Sequence, residues 1–175
     1  MMIEHDTWGV ILDRTREDEL DTEYSIFTWD LGKVRAKAIS VRKPAARLAG
    51  HLEPGTLSRL RLVQRVTDGN FRIAESLMEE KTKDPRAIRA MIFADQMTAL
   101  LQADISLFGF LKDLATGSFT GSEALSYRKI LSIIGLDPSE AVCANCGSKE
   151  IAYFLPQDIM FLCHKCLSEK KQSIG

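Results

Sequence analysis

Four cysteines arranged as two C-x-x-C pairs constrain this chain more than any other feature: Cys143 with Cys146 and, after sixteen intervening residues, Cys163 with Cys166. Pairs at this spacing converge on one point when they bind a metal, so the fold has to bring both ends of the segment together. Four thiolates form the closed tetrahedral set of soft ligands that zinc prefers, with no coordination position left for water or substrate. A structural zinc held by Cys143, Cys146, Cys163 and Cys166 is therefore expected, although iron accepts the same four ligands. Gly147 suits the tight turn after Cys146, because a turn that aims amides at sulfur takes positive φ. Two disulfides, or four unrelated buried thiols, are the alternatives. An oxidising compartment would favour the disulfides, but the start Met1-Met2-Ile3-Glu4-His5-Asp6 lacks the basic-then-apolar pattern of a secretory signal.

At 175 residues the chain can bury roughly 70% of its unfolded surface, enough for one domain or two small ones. The longest apolar stretch, near Leu107 to Leu111, is far too short to cross a bilayer, and a cytoplasmic location is expected. The net charge of −1 conceals a sharp division. Residues 1–31 carry nine acids and two bases, whereas residues 32–72 carry ten bases and two acids. A local excess of this size is either a solvated face or a footprint for a polyanion.

The first 78 residues read mainly as five strands: Thr7 to Thr15, Thr22 to Trp29, Lys33 to Arg42, Leu57 to Val66 and Phe71 to Leu77. Asp30-Leu31-Gly32 is a tight connection, Ala45 to His51 a short helix, and Asp68-Gly69-Asn70 a hairpin turn. Five strands with a helical insertion between the third and fourth match an OB-type barrel, with an SH3-like barrel or small sandwich as the nearest competitor. Side chains on a strand alternate between faces. In the third strand Lys33, Arg35 and Lys37 therefore share one face; in the fourth, Arg59, Arg61 and Arg65 do the same. Arg42, Lys43 and Arg47 lie in the connection between them. A purely solubilising surface mixes charges, because like neighbours repel. Lys33, Arg35, Lys37, Arg42, Lys43, Arg47, Arg59, Arg61 and Arg65 are accordingly the candidate DNA-binding residues. Of the aromatics in this segment, Phe27 and Phe71 are expected in the core together with most others, and Tyr24 or Trp29, on opposite faces of the second strand, is the candidate for stacking on bases. The acidic first turn, Arg14 through Glu23, is expected to repel nucleic acid.

From Asp84 the period changes. Asp84-Pro85 supplies an N-cap and a proline at the first helical position, and Ile88, Met91, Ile92, Leu100, Leu101, Ile105, Phe108 and Leu111 recur at three- and four-residue steps, as one long helix or two joined ones. Thr120-Gly121-Ser122-Glu123 fits a capping box ahead of a shorter helix that ends at Gly135. The expected architecture is α+β: an OB-like barrel over 1–80, then a helical domain over 84–175 that carries the four-cysteine knuckle at 143–166, with zinc docking the tail onto the helices.

Nothing in the sequence looks built to catalyse, and a non-enzymatic protein is expected. His51-Leu52-Glu53 with Cys143-Ala144-Asn145-Cys146 superficially matches a zinc-deaminase signature, but Val142 stands where that signature needs proline and the second cysteine pair would fill the catalytic position. His164 could replace a thiolate, though four cysteines already complete the shell; His5 and His51 read as surface or capping residues. No phosphate loop, dinucleotide fingerprint, nucleophile elbow or H-E-x-x-H occurs.

A basic barrel, a helical middle and a four-cysteine knuckle, in that order, resemble the bacterial recombination mediator family RecO. The blocks Gly9-Val10-Ile11-Leu12-Asp13-Arg14, Phe27-Thr28 with Gly32-Lys33-Val34, and above all the run from Ala38 through Val41-Arg42-Lys43-Pro44-Ala45-Ala46-Arg47 to Pro54 look like the family's N-terminal blocks. Cys143-Ala144-Asn145-Cys146-Gly147 with Cys163 and Cys166 is similar to the knuckle of many members. Ser40 stands where members usually have glycine, Ala46 where they have serine, and Pro156-Gln157-Asp158 where Gly-Gly tends to precede the third cysteine. Members generally continue with further helices, whereas this sequence runs nine residues beyond Cys166, as a short member would. The resemblance implies a non-enzymatic protein of DNA repair that binds single- and double-stranded DNA, anneals single strands, and assists recombinase loading with RecR and single-strand-binding protein. Two other classes fit the residues: an adaptor whose basic face grips an acidic protein tail, and a zinc-ribbon factor of transcription or translation.

Overall fold

A computed structural model describes residues 1–16, 22–38, 51–67 and 69–172. Its contacts divide the chain into two compact units, Met1–Tyr127 and Arg128–Gly175. The change from strand to helix falls between Lys81 and Pro85, as the sequence pattern suggests, but this change lies inside the first unit.

The first unit is built on β1 (Met2–Arg16), β2 (Thr22–Thr28), β3 (Gly32–Ala38), β4 (Thr56–Arg65) and β5 (Phe71–Lys81). They close into a barrel in the order β1-β2-β3-β5-β4. Alternation places Ile26, Val34, Ala36, Leu60, Leu62 and Ile73 inside, around Ile11 and Tyr24. Each large aliphatic side chain buried in this way contributes about 1.5–3 kcal/mol. β1 begins five residues before the expected Thr7, because Met2 through Val10 pair with Arg65 back to Leu57 of β4. The polar look of Ile3-Glu4-His5-Asp6 hides this strand, which is recruited by its partner. β3 is described as far as Ala38; the rest of the expected third strand and most of the expected Ala45 to His51 helix lie outside the described residues, as do Arg42, Lys43 and Arg47.

The helical stretch is two helices, α1 (Pro85–Met97) and α2 (Ile105–Thr116), not one. Asp84 caps the first, its carboxylate accepting from the Arg86 N–H at 2.9 Å, and Asp104 caps the second through the Leu107 N–H at 2.9 Å. The break between them is held by the barrel. Leu100 bridges Lys33 of β3, and the Leu101 N–H donates to the Lys33 carbonyl at 2.8 Å. Gly32 permits this approach: a Cβ there would lie 2.1 Å from the Gln102 carbonyl oxygen, and its φ of +71° is left-handed.

α3 (Glu123–Ile133) is capped by Ser122, whose hydroxyl accepts from the Leu125 N–H at 3.2 Å. The capping box expected between Thr120 and Glu123 does not form. Glu123 faces α1 instead, receiving Arg89 through Nε at 2.9 Å and Nη2 at 2.5 Å, and the Tyr127 hydroxyl at 2.5 Å. The Arg89 guanidinium, then the Tyr127 hydroxyl, hold the Glu123 carboxyl down at about 2. A carboxyl with a depressed folded pKa stabilises the fold above its ordinary value of 4.5 and loses that effect as pH falls from there toward 2. Glu123→Gln should therefore lower the urea midpoint at pH 7, and the gap to the parent should close as pH is lowered through 4.5 toward 2. A gap that does not change with pH would contradict the pairing.

The second unit contains β6 (Ile151–Leu155), β7 (Met160–Cys163) and α4 (His164–Gln172). β6 and β7 form an antiparallel hairpin closed by Pro156-Gln157-Asp158-Ile159. Ile159 has a φ of 49°, an unfavourable value for a β-branched side chain, and is 60% exposed. Ile159→Gly should remove about 1 kcal/mol of strain at little loss of burial. It would show as roughly fivefold slower amide exchange across the hairpin; unchanged or faster exchange would argue against strain at this turn.

Candidate metal centre and basic groove

The four cysteines meet where the first knuckle lies beside the end of β7. The Ala144 N–H donates to the Phe161 carbonyl at 2.9 Å, the Cys143 N–H to Ser148 O at 2.8 Å, and the Gly147 N–H back to Cys143 O at 2.8 Å. Gly147 takes the expected positive φ, 73°. Cys163 ends β7, and Cys166 lies in the first turn of α4. All four cysteines are free of disulfides, and their Sγ atoms lie within 4.8 Å of one another. The Cys146 and Cys163 sulfurs are 3.7 Å apart. A tetrahedron with metal–sulfur bonds of about 2.3 Å has edges of about 3.8 Å, so the donor set fits a four-coordinate soft ion.

The electrostatics agree with that fit. Backbone N–H groups of Cys163, then Cys146, draw the Cys143 thiol down to about 6. At Cys166 the Asn145 amide, which donates to its Sγ at 3.3 Å, pulls in the same direction, yet burial and the neighbouring thiols outweigh it and push the group up to about 12. Four sulfurs this close share negative charge only when a cation compensates it. His164 is no ligand here: its Nδ1 lies 3.2 Å from the Tyr153 hydroxyl and the two rings meet edge to face. His51 is a structural tie to β5, with Nδ1 2.8 Å from the Ser76 carbonyl.

The candidate DNA-binding residues do not form one uniform face. Lys33 is 6% exposed; its Nζ donates to the Asp95 backbone oxygen at 2.6 Å and pairs with the Asp95 carboxylate at 3.4 Å. Ser25 also donates to that carboxylate. Lys33 thus ties β3 to α1, and the phosphate-contact role expected of it does not fit this position. Arg35 is exposed but faces Glu23 at 3.5 Å. Arg61 stands between Asp6, at 3.5 Å, and Glu75, at 3.1 Å, its cross-strand neighbours in β1 and β5. Arg59 is exposed and makes no ion pair among the described residues.

Three cations do converge. β5 lies between β3 and β4, and its register sets Arg72 opposite Lys37 on one side and Val63 on the other. Arg65, two residues beyond Val63, completes the rim of a groove of about 130 Å³ lined also by Met2, Asn70 and Phe71. Arg72 is not among the residues singled out from the sequence. Its signal was legible, since it alternates with the inward Phe71 and Ile73. Its partnership with Lys37 was not, because that needs the strand order. Of the aromatics, Tyr24, Phe27 and Phe71 are buried, so Tyr24 is excluded as a stacking residue; Trp29 remains 48% exposed and meets Phe108 edge to face at 5.5 Å.

These features define a class: an α+β protein whose closed five-stranded barrel carries a basic groove, followed in the chain by helices and a four-thiolate site able to hold a metal. The chain belongs to the RecO family of DNA repair proteins. It is 30% identical over 178 residues to the DNA repair protein RecO of Dehalococcoides mccartyi strain BAV1, a match that covers 91% of this chain and 69% of that protein. The RecO proteins of strains CBDB1 and 195 are each 29% identical with the same coverage. No family model matches the chain. Among the described residues no helix is long and apolar enough to cross a membrane.

Proposed function

We propose that this protein is a non-enzymatic DNA-binding mediator of recombinational repair that binds and anneals single strands, contacts duplex DNA, and assists recombinase loading with RecR and single-strand-binding protein. Membership of the RecO family supports the role in repair. The observation that carries the DNA-binding part is the convergence of Lys37, Arg65 and Arg72 on one groove at the end of the barrel. The strand order β1-β2-β3-β5-β4 supports an OB-type barrel, a fold whose strands commonly bind single-stranded nucleic acid. Arg42, Lys43 and Arg47 lie outside the described residues and are proposed as further phosphate contacts from the sequence alone. Zinc is the ion that best suits four thiolates. It would fix the knuckle, with Asn145 orienting Cys166.

Cations at the groove neutralise phosphates and release counterions, so affinity must fall with salt. Sequence preference should be weak, because contacts to the backbone carry no base information. The test is fluorescence anisotropy of labelled single- and double-stranded DNA across a salt series, with metal content measured on the same sample. Three phosphate contacts on a single strand correspond to a slope of log affinity against log salt of about −2. Micromolar or tighter binding at low salt with at least that slope is expected. A flat, salt-independent trace would remove the reading.

A further inference from the structure

We propose that Trp8 and Arg59 form a nucleobase-stacking site for single-stranded DNA on the outside of the barrel, separate from the phosphate groove; the proposal rests on the DNA-binding reading above. Trp8 of β1 is the register partner of Arg59 in β4, and Arg59 that of Leu77 in β5, so the three lie in one row across three strands. Trp8 is 39% exposed, Leu77 is 58% exposed, and Arg59 is exposed between them. Cross-strand neighbours have Cβ atoms about 5 Å apart, within reach of an indole and a guanidinium acting on one ligand.

The next row shows what distinguishes this one. There Arg61 occupies the equivalent outward position and is held by Asp6 and Glu75. One step along, the flanking residues are an indole and a leucine in place of two carboxylates, and Arg59 makes no ion pair among the described residues. A cation that pairs with no carboxylate among the described residues, beside a flat π-surface, is complementary to an unstacked base and its phosphate: the indole takes the base face, the guanidinium the charge. An apolar protein segment would use the indole but leave Arg59 without an anion. Asp6 and Glu75 outnumber Arg61, so the adjoining row repels a backbone that tracks along β4. The contact is therefore local to the Trp8 row. Bases in a duplex already stack on each other, so this row discriminates single strands from duplex, which the groove cannot do.

The chain has two tryptophans, Trp8 and Trp29. Trp29→Phe in the full-length, metal-loaded protein isolates Trp8, and Trp8→Phe isolates Trp29. Titration of Trp29→Phe with oligothymidine should quench its fluorescence in step with the anisotropy isotherm, while Trp8→Phe should bind with little quenching. Trp8→Ala should weaken oligothymidine binding by about tenfold and leave duplex affinity unchanged, and Arg59→Gln should also weaken oligothymidine binding; Trp8→Phe should retain most of it. If anisotropy reports binding while Trp8 emission stays constant, or if Trp8→Ala weakens duplex and single strand equally, the stacking site is wrong and the DNA-binding reading stands. Quenching of Trp8 by an acidic or apolar peptide but not by oligothymidine would assign the row to a protein and overturn the proposal. Absence of any DNA binding by the parent would overturn the underlying reading.

Discussion

Stripping the metal with a chelator, or replacing Cys163 with serine, is expected to unfold the hairpin and knuckle of the Arg128–Gly175 unit while the barrel stays folded. The reason lies in what that part of the chain buries. Its buried cluster is Cys143, Leu162, Cys163 and Cys166, with Leu155, Met160 and Leu167 partly covered against it. Three of the four buried side chains belong to the four-cysteine cluster that could hold a metal. Leu162 alone contributes about 2 kcal/mol by burial, whereas ordering the backbone costs about 1–2 kcal/mol for each residue. A metal bound by structural thiolates contributes about 10–16 kcal/mol, and so decides whether this segment folds. Limited proteolysis reads the result: chelation should open cleavage sites between 143 and 166, re-addition of zinc should close them, and barrel fragments should persist throughout. Resistance that survives verified loss of the metal would show that packing, not coordination, holds the knuckle.

The second large effect is expected from reversing the groove. Lys37→Glu, Arg65→Glu and Arg72→Glu combined should lower single-strand affinity at least a hundredfold at low salt. The slope of log affinity against log salt should also become shallower by about 2, since each lost phosphate contact removes about 0.7. Arg61→Gln provides the comparison. Asp6 and Glu75 already share that charge, so its removal changes the local field less and should alter affinity only slightly. Lys33 provides another, because its ammonium is committed to Asp95 and its loss should reduce stability before DNA binding. Equal losses from Arg61→Gln and from single groove substitutions would show that total charge, and not the groove, sets affinity.

Strand parity accounts for most of what the barrel segment reveals in advance. Val34, Ala36, Leu60 and Leu62 face inward, and Arg35, Arg59 and Arg61 outward, because a strand alternates whatever it pairs with. Parity fails for Lys33, which is on the outward side and nevertheless buried beneath α1. It also fails to separate Arg59 from Arg61, which differ only in what β1 and β5 set beside them. The capping box is a similar case: Glu123 has the correct spacing from Thr120, but Arg89 of a different helix offers a bidentate partner and takes it.

The residues alone pointed to the four-cysteine cluster, because two C-x-x-C pairs make a chelating unit wherever the backbone turns, and to the alternation of the strands, which is local geometry. Only the tertiary structure decided which cations converge on one groove. Charges interact through space, and the barrel order set Lys37 beside Arg72 and opposite Glu23, while bringing Asp95 to Lys33, Glu23 to Arg35, and Asp6 and Glu75 to Arg61. Those acids are distant in the chain from the cations they neutralise, so no pattern of neighbouring residues records the pairing.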